Sequence, residues 1–179
     1  MSTTKILYDG SLFASHYQFW VYDDALDRDD LLLDRLEEIS DAMSKSLTQL
    51  GYFQLQSFVA IRTRAHTWHH WLELLMAERV PRFKERHESK RVASIALKSN
   101  RVNIEAPTDA EPQATVRIPR GKYRLYVFGY NLGVEANASE SEQLLHDVTA
   151  PHRSFEGYRL VFVPKRPSRQ PGPADRGAV

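Results

Sequence analysis

Apolar and polar residues alternate through most of the segment from Lys90 to Tyr130. Four stretches follow this period of two: residues 92–97, 102–106, 114–118 and 123–127. The polar residues Lys98 to Arg101 separate the first two stretches, and Pro119-Arg120-Gly121 separates the last two. Alternation with a period of two is typical of half-buried strands, and proline followed by glycine favours a turn. The pattern therefore predicts four β-strands that form two hairpins.

The segment before Gly51 has the period of an amphipathic helix instead. Six apolar residues recur at spacings of three or four: Leu32, Leu36, Ile39, Met43, Leu47 and Leu50. Asp27 suits the N-cap, and Gly51 is a natural C-terminal stop. We therefore predict that residues 28–50 form the longest helix, with its apolar side packed on a sheet.

Three further stretches are rich in apolar residues. Residues 58–65 suit a strand, and residues 158–163 suit a last strand that Pro164 ends. Residues 68–78 are ambiguous, because some of their apolar residues recur at helical spacing whereas others alternate. We predict a strand here, because a hairpin partner for residues 58–65 would complete a sheet.

Length and composition indicate one globular domain. The chain has 179 residues, of which 42% are apolar and 26% are charged, as in ordinary soluble domains. We expect residues 1–164 to form a single all-β domain with one packed helix, as an antiparallel β-sandwich or open barrel. Residues 165–179 are rich in proline, arginine and glycine, offer little to bury, and are expected to be disordered.

The residue types bound the compartment and the chemistry. Cysteine is absent, which excludes disulfides and thiolate metal sites and favours a cytoplasmic protein. The N-terminus lacks the layout of a secretory signal, and no apolar run is long enough to span a membrane. The sequence contains no glycine-rich phosphate loop and no nucleophile elbow. We therefore expect no catalytic residue and no cofactor.

Two segments contain sequence motifs in addition to their alternation of apolar and polar residues. The run KRVASIALKSNRVNIEAPTDAEPQATVRIPRGKYRLYVFGY has a basic pair that opens a strand, an Ile-Glu strand, and a proline-x-glycine turn before a Tyr-x-Leu strand. These motifs and the run SHYQFWVYDD resemble the competence protein J family, the inhibitors of DNA-entry nucleases. SHYQFWVYDD is similar to the family's first strand, although the family has the pair His16-Tyr17 in the opposite order. The resemblance covers about a third of the chain and implies a protein that binds a nuclease.

The acidic residues are concentrated in the predicted helix and just before it. Residues 23–41 contain nine acidic residues and two arginines, a net charge of −7, whereas the whole chain carries +1. Four of the carboxylates fall on the face opposite the apolar residues: Asp30, Asp34, Glu37 and Asp41. Carboxylates of an inhibitor can take the places of phosphates in the basic cleft of a nuclease. We predict that these four residues contact the partner, and a merely solvated helix face is the alternative.

Trp20 is the fifth candidate contact. It lies on the strand face opposite Phe19 and Val21, so it faces outward if those two enter the core. Exposed tryptophans often anchor protein interfaces. Packing of the predicted helix over this face would instead bury Trp20, and we favour this alternative because aromatic residues are more often buried.

Two other functions remain open. A module that binds a small ligand or a carbohydrate would need a concave aromatic pocket, with Trp68 and Trp71 as its candidates. A metal-dependent hydrolase would need His66 and His70, which converge if their segment is helical. This segment lacks the glutamate of a His-Glu-x-x-His motif, so we predict no metal site.

The favoured function is binding to a protein. Basic residues surround Phe83, yet Glu85 and Glu88 interrupt them, so direct binding of nucleic acid is not expected. We predict a protein inhibitor of a nuclease, either a DNA-entry nuclease or a nuclease toxin, that occludes the active site without turnover.

Overall fold

The computed structural model describes residues 4–26, 36–65, 69–136 and 154–165, with residues 36–38 as backbone only. Within these ranges the chain forms one α-helix, α1 (Leu36–Leu50), and ten β-strands. The strands are β1 (Thr4–Phe13), β2 (Gln18–Asp23), β3 (Tyr52–Leu55), β4 (Phe58–Arg62), β5 (His69–Ala77), β6 (Ser89–Leu97), β7 (Arg101–Glu105), β8 (Ala114–Arg117), β9 (Gly121–Tyr130) and β10 (Gly157–Pro164).

The strands form two five-stranded sheets that face each other. The first sheet has the order β1-β5-β10-β9-β6 and the second has the order β3-β4-β2-β7-β8. Alternate residues of both sheets point between them, and Phe19, Ile61, Leu74, Leu125 and Phe162 are among those that are fully buried there. The predicted all-β fold with one helix is confirmed. The sheets stay separate as a sandwich and do not close into a barrel.

The four strands predicted between Lys90 and Tyr130 are present, but both predicted hairpins are wrong. The polar turn joins β6 of the first sheet to β7 of the second, and the Pro-Arg-Gly turn joins β8 of the second sheet to β9 of the first. Buried Asp23 accepts hydrogen bonds from the backbone N–H groups of Lys98 and Ser99, which holds the first crossing in place. Alternation determines which face of a strand is buried, but it leaves the pairing partner open.

The predicted strand within residues 68–78 is confirmed as β5, but its predicted pairing is wrong. β5 lies between β1, which is antiparallel to it, and β10, which is parallel to it. β4 instead pairs with β2 and β3 of the other sheet. The sequence pattern does not reveal β1, the antiparallel partner, because its register shifts between Ile6 and Tyr8 and this irregularity interrupts the alternation.

The helix α1 covers the outer face of the second sheet. Met43 and Leu47 pack with Trp20 and Phe58 of that sheet. The helix ends at Gly51 as predicted, where the backbone has a φ of 77° and the N–H donates to the carbonyl of Leu47 at 3.1 Å. The predicted start at residue 28 and the predicted tail beyond residue 165 lie outside the described residues. No described helix has the length and the apolar character that a membrane crossing requires.

Candidate functional site

The predicted acidic surface lies only partly within the described residues. Asp41 is exposed on α1, and Glu37 lies one helical turn before it. Positions four residues apart on a helix are neighbours on one face. Asp30 and Asp34 lie outside the described residues. The contact of this surface with a partner stays a prediction.

Trp20 belongs to the core and not to an open surface. Its side chain is 4% exposed, and its ring packs edge-on against Phe58 with the centroids 5.4 Å apart. The indole Nε1 donates to Oε1 of Gln18 at 3.1 Å. The helix therefore buries Trp20, which is the alternative favoured from the sequence, and the candidate contact surface does not include it.

A second candidate site is a pocket that the sequence pattern does not predict. It is a cavity of about 510 Å³ between the end of β4, the C-terminal end of α1 and the turn that joins β1 to β2. Arg62, Thr63, Arg64, Arg91 and Tyr17 line this cavity, which we name the arginine pocket. The one sequence feature that points to this pocket is the Arg-Thr-Arg triplet at the end of a strand. Alternation places its two arginines on one side of the strand and its threonine on the other.

Gly51 positions Arg91 in this pocket. A Cβ at residue 51 would overlap the guanidinium group of Arg91, and the positive φ of Gly51 also disfavours a side chain there. The carbonyl of Gly51 accepts a hydrogen bond from the N–H of Arg62 at 2.9 Å, which ties the helix end to β4. The C-terminal end of a helix carries partial negative charge, so it stabilises the nearby Arg91 cation.

The rim of the pocket contains a strained turn. His16 and Tyr17 have φ values of 51° and 56°, and Ser15 and Gln18 pair across them through two backbone hydrogen bonds. Two-residue turns of this left-handed kind normally use asparagine and glycine. The carbonyl of Tyr17 accepts the N–H of Thr63 at 2.9 Å, which joins the turn to the pocket. This pair lies in the turn before β2, not in the strand that the sequence predicts.

A buried carboxylate supports the pocket from behind. Glu156 has no exposed side-chain surface and accepts backbone N–H groups from Arg64 at 2.7 Å, Ala65 at 2.6 Å and Gly133 at 2.6 Å. The hydroxyl of Tyr158 donates to the same carboxylate, and Nε2 of His70 lies 3.8 Å from it. The network joins the segment after β4 to the segments after β9 and before β10. Hydrogen bonds to a charged acceptor are the stronger kind, so this network orders the backbone around Arg64.

The electrostatic environment differs between the pocket and the network behind it. Burial lowers the pKa of Arg91, and the neighbouring Arg64 and Arg62 lower it further, whereas Tyr158 and Glu156 act in the opposite direction. Burial raises the pKa of Tyr158 well above its usual value, and Glu156 raises it further. Tyr158 therefore stays protonated and continues to donate to Glu156 at neutral pH.

The described residues give limited support to the two alternative functions, a metal-dependent hydrolase and a module that binds a small ligand through an aromatic pocket. No three His, Asp or Glu side chains of this part of the chain come together as a metal site. His70 is buried beside Glu156, and its predicted partner His66 lies outside the described residues. Trp71 is buried, and its Nε1 donates to the carbonyl of Phe155 at 3.0 Å. Trp71 is therefore a core residue and not the lining of an open pocket.

The aromatic residue within the basic run is also packed into the structure. Phe83 contacts Phe128 with ring centroids 5.3 Å apart, and the guanidinium carbon of Arg159 lies 4.2 Å from the centre of its ring. Arg159 also binds the carboxylate of Glu73. Phe83 thus packs on the outer face of the first sheet, and Arg159 occupies one face of its ring, which a stacking base would have to displace.

Comparison with known proteins connects this fold to two solved structures. No family model matches the chain, and no curated protein sequence matches it. ComJ from Bacillus subtilis, an inhibitor of the DNA degrading activity of NucA, matches with a TM-score of 0.54 and 15% identity over 91% of this chain and 99% of that chain. A structure described as crocagin biosynthetic gene J matches with a TM-score of 0.58 and 14% identity over 92% and 99%. At these identities the likeness shows the fold alone, and it confirms for the fold the resemblance seen in the sequence.

Proposed function

We propose that this protein inhibits a nuclease by binding over its active site. The observation that carries the proposal is the shared fold: ComJ, an inhibitor of a nuclease, matches over 91% of this chain. The sequence motifs that resemble the competence protein J family lie in strands β2, β6, β7 and β9 of the same fold. The proposed target is a DNA-entry nuclease or a nuclease toxin, and the proposed compartment is the cytoplasm.

The charge distribution supports this function. Residues 23–41 carry a net charge of −7, and the remainder of the chain carries +8. A nuclease that grips a phosphodiester backbone presents a basic cleft, which attracts an acidic surface over a distance of about 10 Å at moderate salt. In the proposal, Asp30, Asp34, Glu37 and Asp41 enter such a cleft in place of phosphates.

The architecture also suits inhibition without turnover. The second sheet of the sandwich holds α1 on its outer face through Met43 and Leu47, so the acidic helix is presented from a folded platform. A rigid platform reduces the conformational entropy that is lost on binding. Inhibition by occlusion requires only this platform and a complementary surface.

The experiment is a DNA degradation assay with the nuclease encoded nearest to the gene of this protein, and with NucA in parallel. Increasing amounts of the protein are added at a fixed nuclease concentration. We expect activity to fall in proportion to added protein and to end at a molar ratio of one to one. The amount of protein at the end point should rise in proportion when the nuclease concentration is raised severalfold.

Two results would contradict the proposal. One is full degradation by both nucleases at a tenfold molar excess of the protein. The other is an end point that does not change with the nuclease concentration, because that would mean that the protein sequesters DNA and does not bind the nuclease.

A further inference from the structure

Three guanidinium groups line the arginine pocket, and none of them is paired with a carboxylate in the part of the chain that the structure describes. Arg62, Arg64 and Arg91 form no ion pair there, and Arg91 interacts electrostatically with both of the others and, in the opposite sense, with Tyr158 and Glu156 behind the pocket. Like charges at one site are unfavourable unless an opposite charge joins them. The pocket therefore has the charge of a site for an anion.

A buried polar atom of the pocket also lacks a hydrogen-bond partner among the described residues. Nη1 of Arg91 is buried and has none. Buried polar atoms in folded proteins nearly always have a partner, because an unsatisfied one is costly. Arg91 lines the cavity. A ligand oxygen in this cavity would give its guanidinium group a partner.

The combined charge of the pocket and of Glu156 behind it matches that of a dianion. Three arginines, the buried carboxylate of Glu156 behind them and the partial negative charge of the helix end leave a net charge of about +1.5. A phosphate monoester carries about −1.5 to −2 at neutral pH, whereas a carboxylate carries one charge. Arginine is also the side chain whose planar group binds phosphate oxygens in pairs.

The size of the cavity indicates that the ligand has an organic part in addition to its phosphate group. Its volume of about 510 Å³ lies within the range of small-molecule sites, roughly 300–1,000 Å³, and exceeds what a phosphate group alone fills. Tyr17 is 39% exposed at the rim, and the turn holds it in a left-handed conformation. Strained backbone of this kind concentrates at ligand sites.

We propose that the arginine pocket binds a small phosphate monoester. Its phosphate group contacts Arg62, Arg64 and Arg91, and its organic part lies against Tyr17. This ligand site is separate from the acidic surface of α1, and binding of the ester does not depend on the proposed inhibition.

Calorimetry on the full chain tests the proposal with three probes: inorganic phosphate, thymidine 5′-monophosphate and glucose 6-phosphate. Thymidine and acetate at equal ionic strength are the controls. We expect saturable binding of phosphate and tighter binding of at least one ester, with no binding of thymidine or acetate. The preferred ester identifies the organic part as a nucleoside or a sugar.

Substitutions at the arginine pocket test whether the ligand binds there. Arg62 and Arg64 are exposed at the pocket, so Arg62→Gln with Arg64→Gln should leave the fold intact and weaken phosphate ester binding on the order of 100-fold. The matched control is Arg117→Gln with Arg124→Gln, which removes the same charge from exposed positions elsewhere and should bind like the parent.

Three results would overturn the proposal. The first is the absence of saturable binding of any of the three probes at millimolar concentration. The second is equal binding of an ester by the parent and by the Arg62→Gln, Arg64→Gln variant. The third is binding of acetate as tight as that of phosphate, which would assign the pocket to a carboxylate.

Discussion

Glu156→Ala is expected to lower the free energy of unfolding by about 3–5 kcal/mol, the loss typical of removing one member of a buried charged network. Glu156 is fully buried and accepts three backbone N–H groups, from Arg64, Ala65 and Gly133, together with the hydroxyl of Tyr158. The alanine variant leaves these donors without an acceptor, and each unsatisfied donor costs about 1–3 kcal/mol before the structure relaxes. Urea denaturation measures the change.

Tyr158→Phe is the matched control for this substitution. It removes only one donor to Glu156 and keeps the ring that packs against Phe19. We expect a loss of about 1.5–3 kcal/mol at neutral pH, the usual contribution of a hydrogen bond to a charged group. A Glu156→Ala variant that is no less stable than Tyr158→Phe would contradict the role of Glu156 as the acceptor that joins three segments.

The cost of Tyr158→Phe should depend on pH. The pKa of Tyr158 is raised above its usual value of 10.0, so the folded state holds this proton more tightly than the unfolded state does. The corresponding stability is fully present below about pH 10 and is lost as the pH rises toward the pKa of the folded state. The difference in stability between the parent and Tyr158→Phe should therefore narrow above about pH 10.

Asp34→Lys combined with Asp41→Lys is expected to slow association with the cognate nuclease at least tenfold at low salt. Steering by complementary charge raises association rates by about 10- to 1,000-fold, and reversing two charges opposes it. Asp41 is exposed, and exposed substitutions usually shift stability by less than about 0.5 kcal/mol. The loss should shrink as salt rises, since screening removes long-range steering before close contacts. Stopped-flow or surface-capture kinetics measure it.

The control for this pair keeps the same change in net charge. Glu78 and Glu111 are exposed, the first after β5 and the second between β7 and β8, so Glu78→Lys with Glu111→Lys should associate at nearly the rate of the parent. If the helix pair associates as fast as this control at low salt, the acidic face of α1 only keeps the protein soluble. The contact with the nuclease would then lie on a sheet edge or its loops.

The strands can be predicted from the sequence, but their partners cannot. Alternation around Ile95 and Val116 is a local property, and it correctly assigns these residues to buried strand positions. Whether a polar turn returns the chain to the same sheet or carries it to the opposite one depends on distant residues. Asp23 binds the turn at Lys98 and Ser99, which are 75 and 76 positions away, and no local pattern reveals this contact.

The arginine pocket and the Glu156 network behind it cannot be predicted from the sequence, because they too depend on contacts between distant residues. Arg91 meets Arg62 and Arg64 only because α1, β4 and β6 come together at Gly51, where the glycine leaves room for the guanidinium group. Glu156 resembles any solvated carboxylate in the sequence, since nothing local shows that backbone N–H groups surround it. By contrast, the burial of Trp20 can be predicted from the sequence. The helix shows a clear apolar period, and its apolar side must pack against a sheet face, which here contains Trp20.

Competition with DNA for the nuclease tests the central claim of inhibition by occlusion most directly. A short fluorescent DNA with linkages that resist cleavage is bound to the cognate nuclease, and this protein is added while the anisotropy of the DNA is followed. Occlusion predicts that one equivalent of the protein releases the DNA, and that the apparent dissociation constant of the protein rises in proportion to the DNA concentration. A ternary complex in which the DNA stays bound while the protein is bound as well would contradict it.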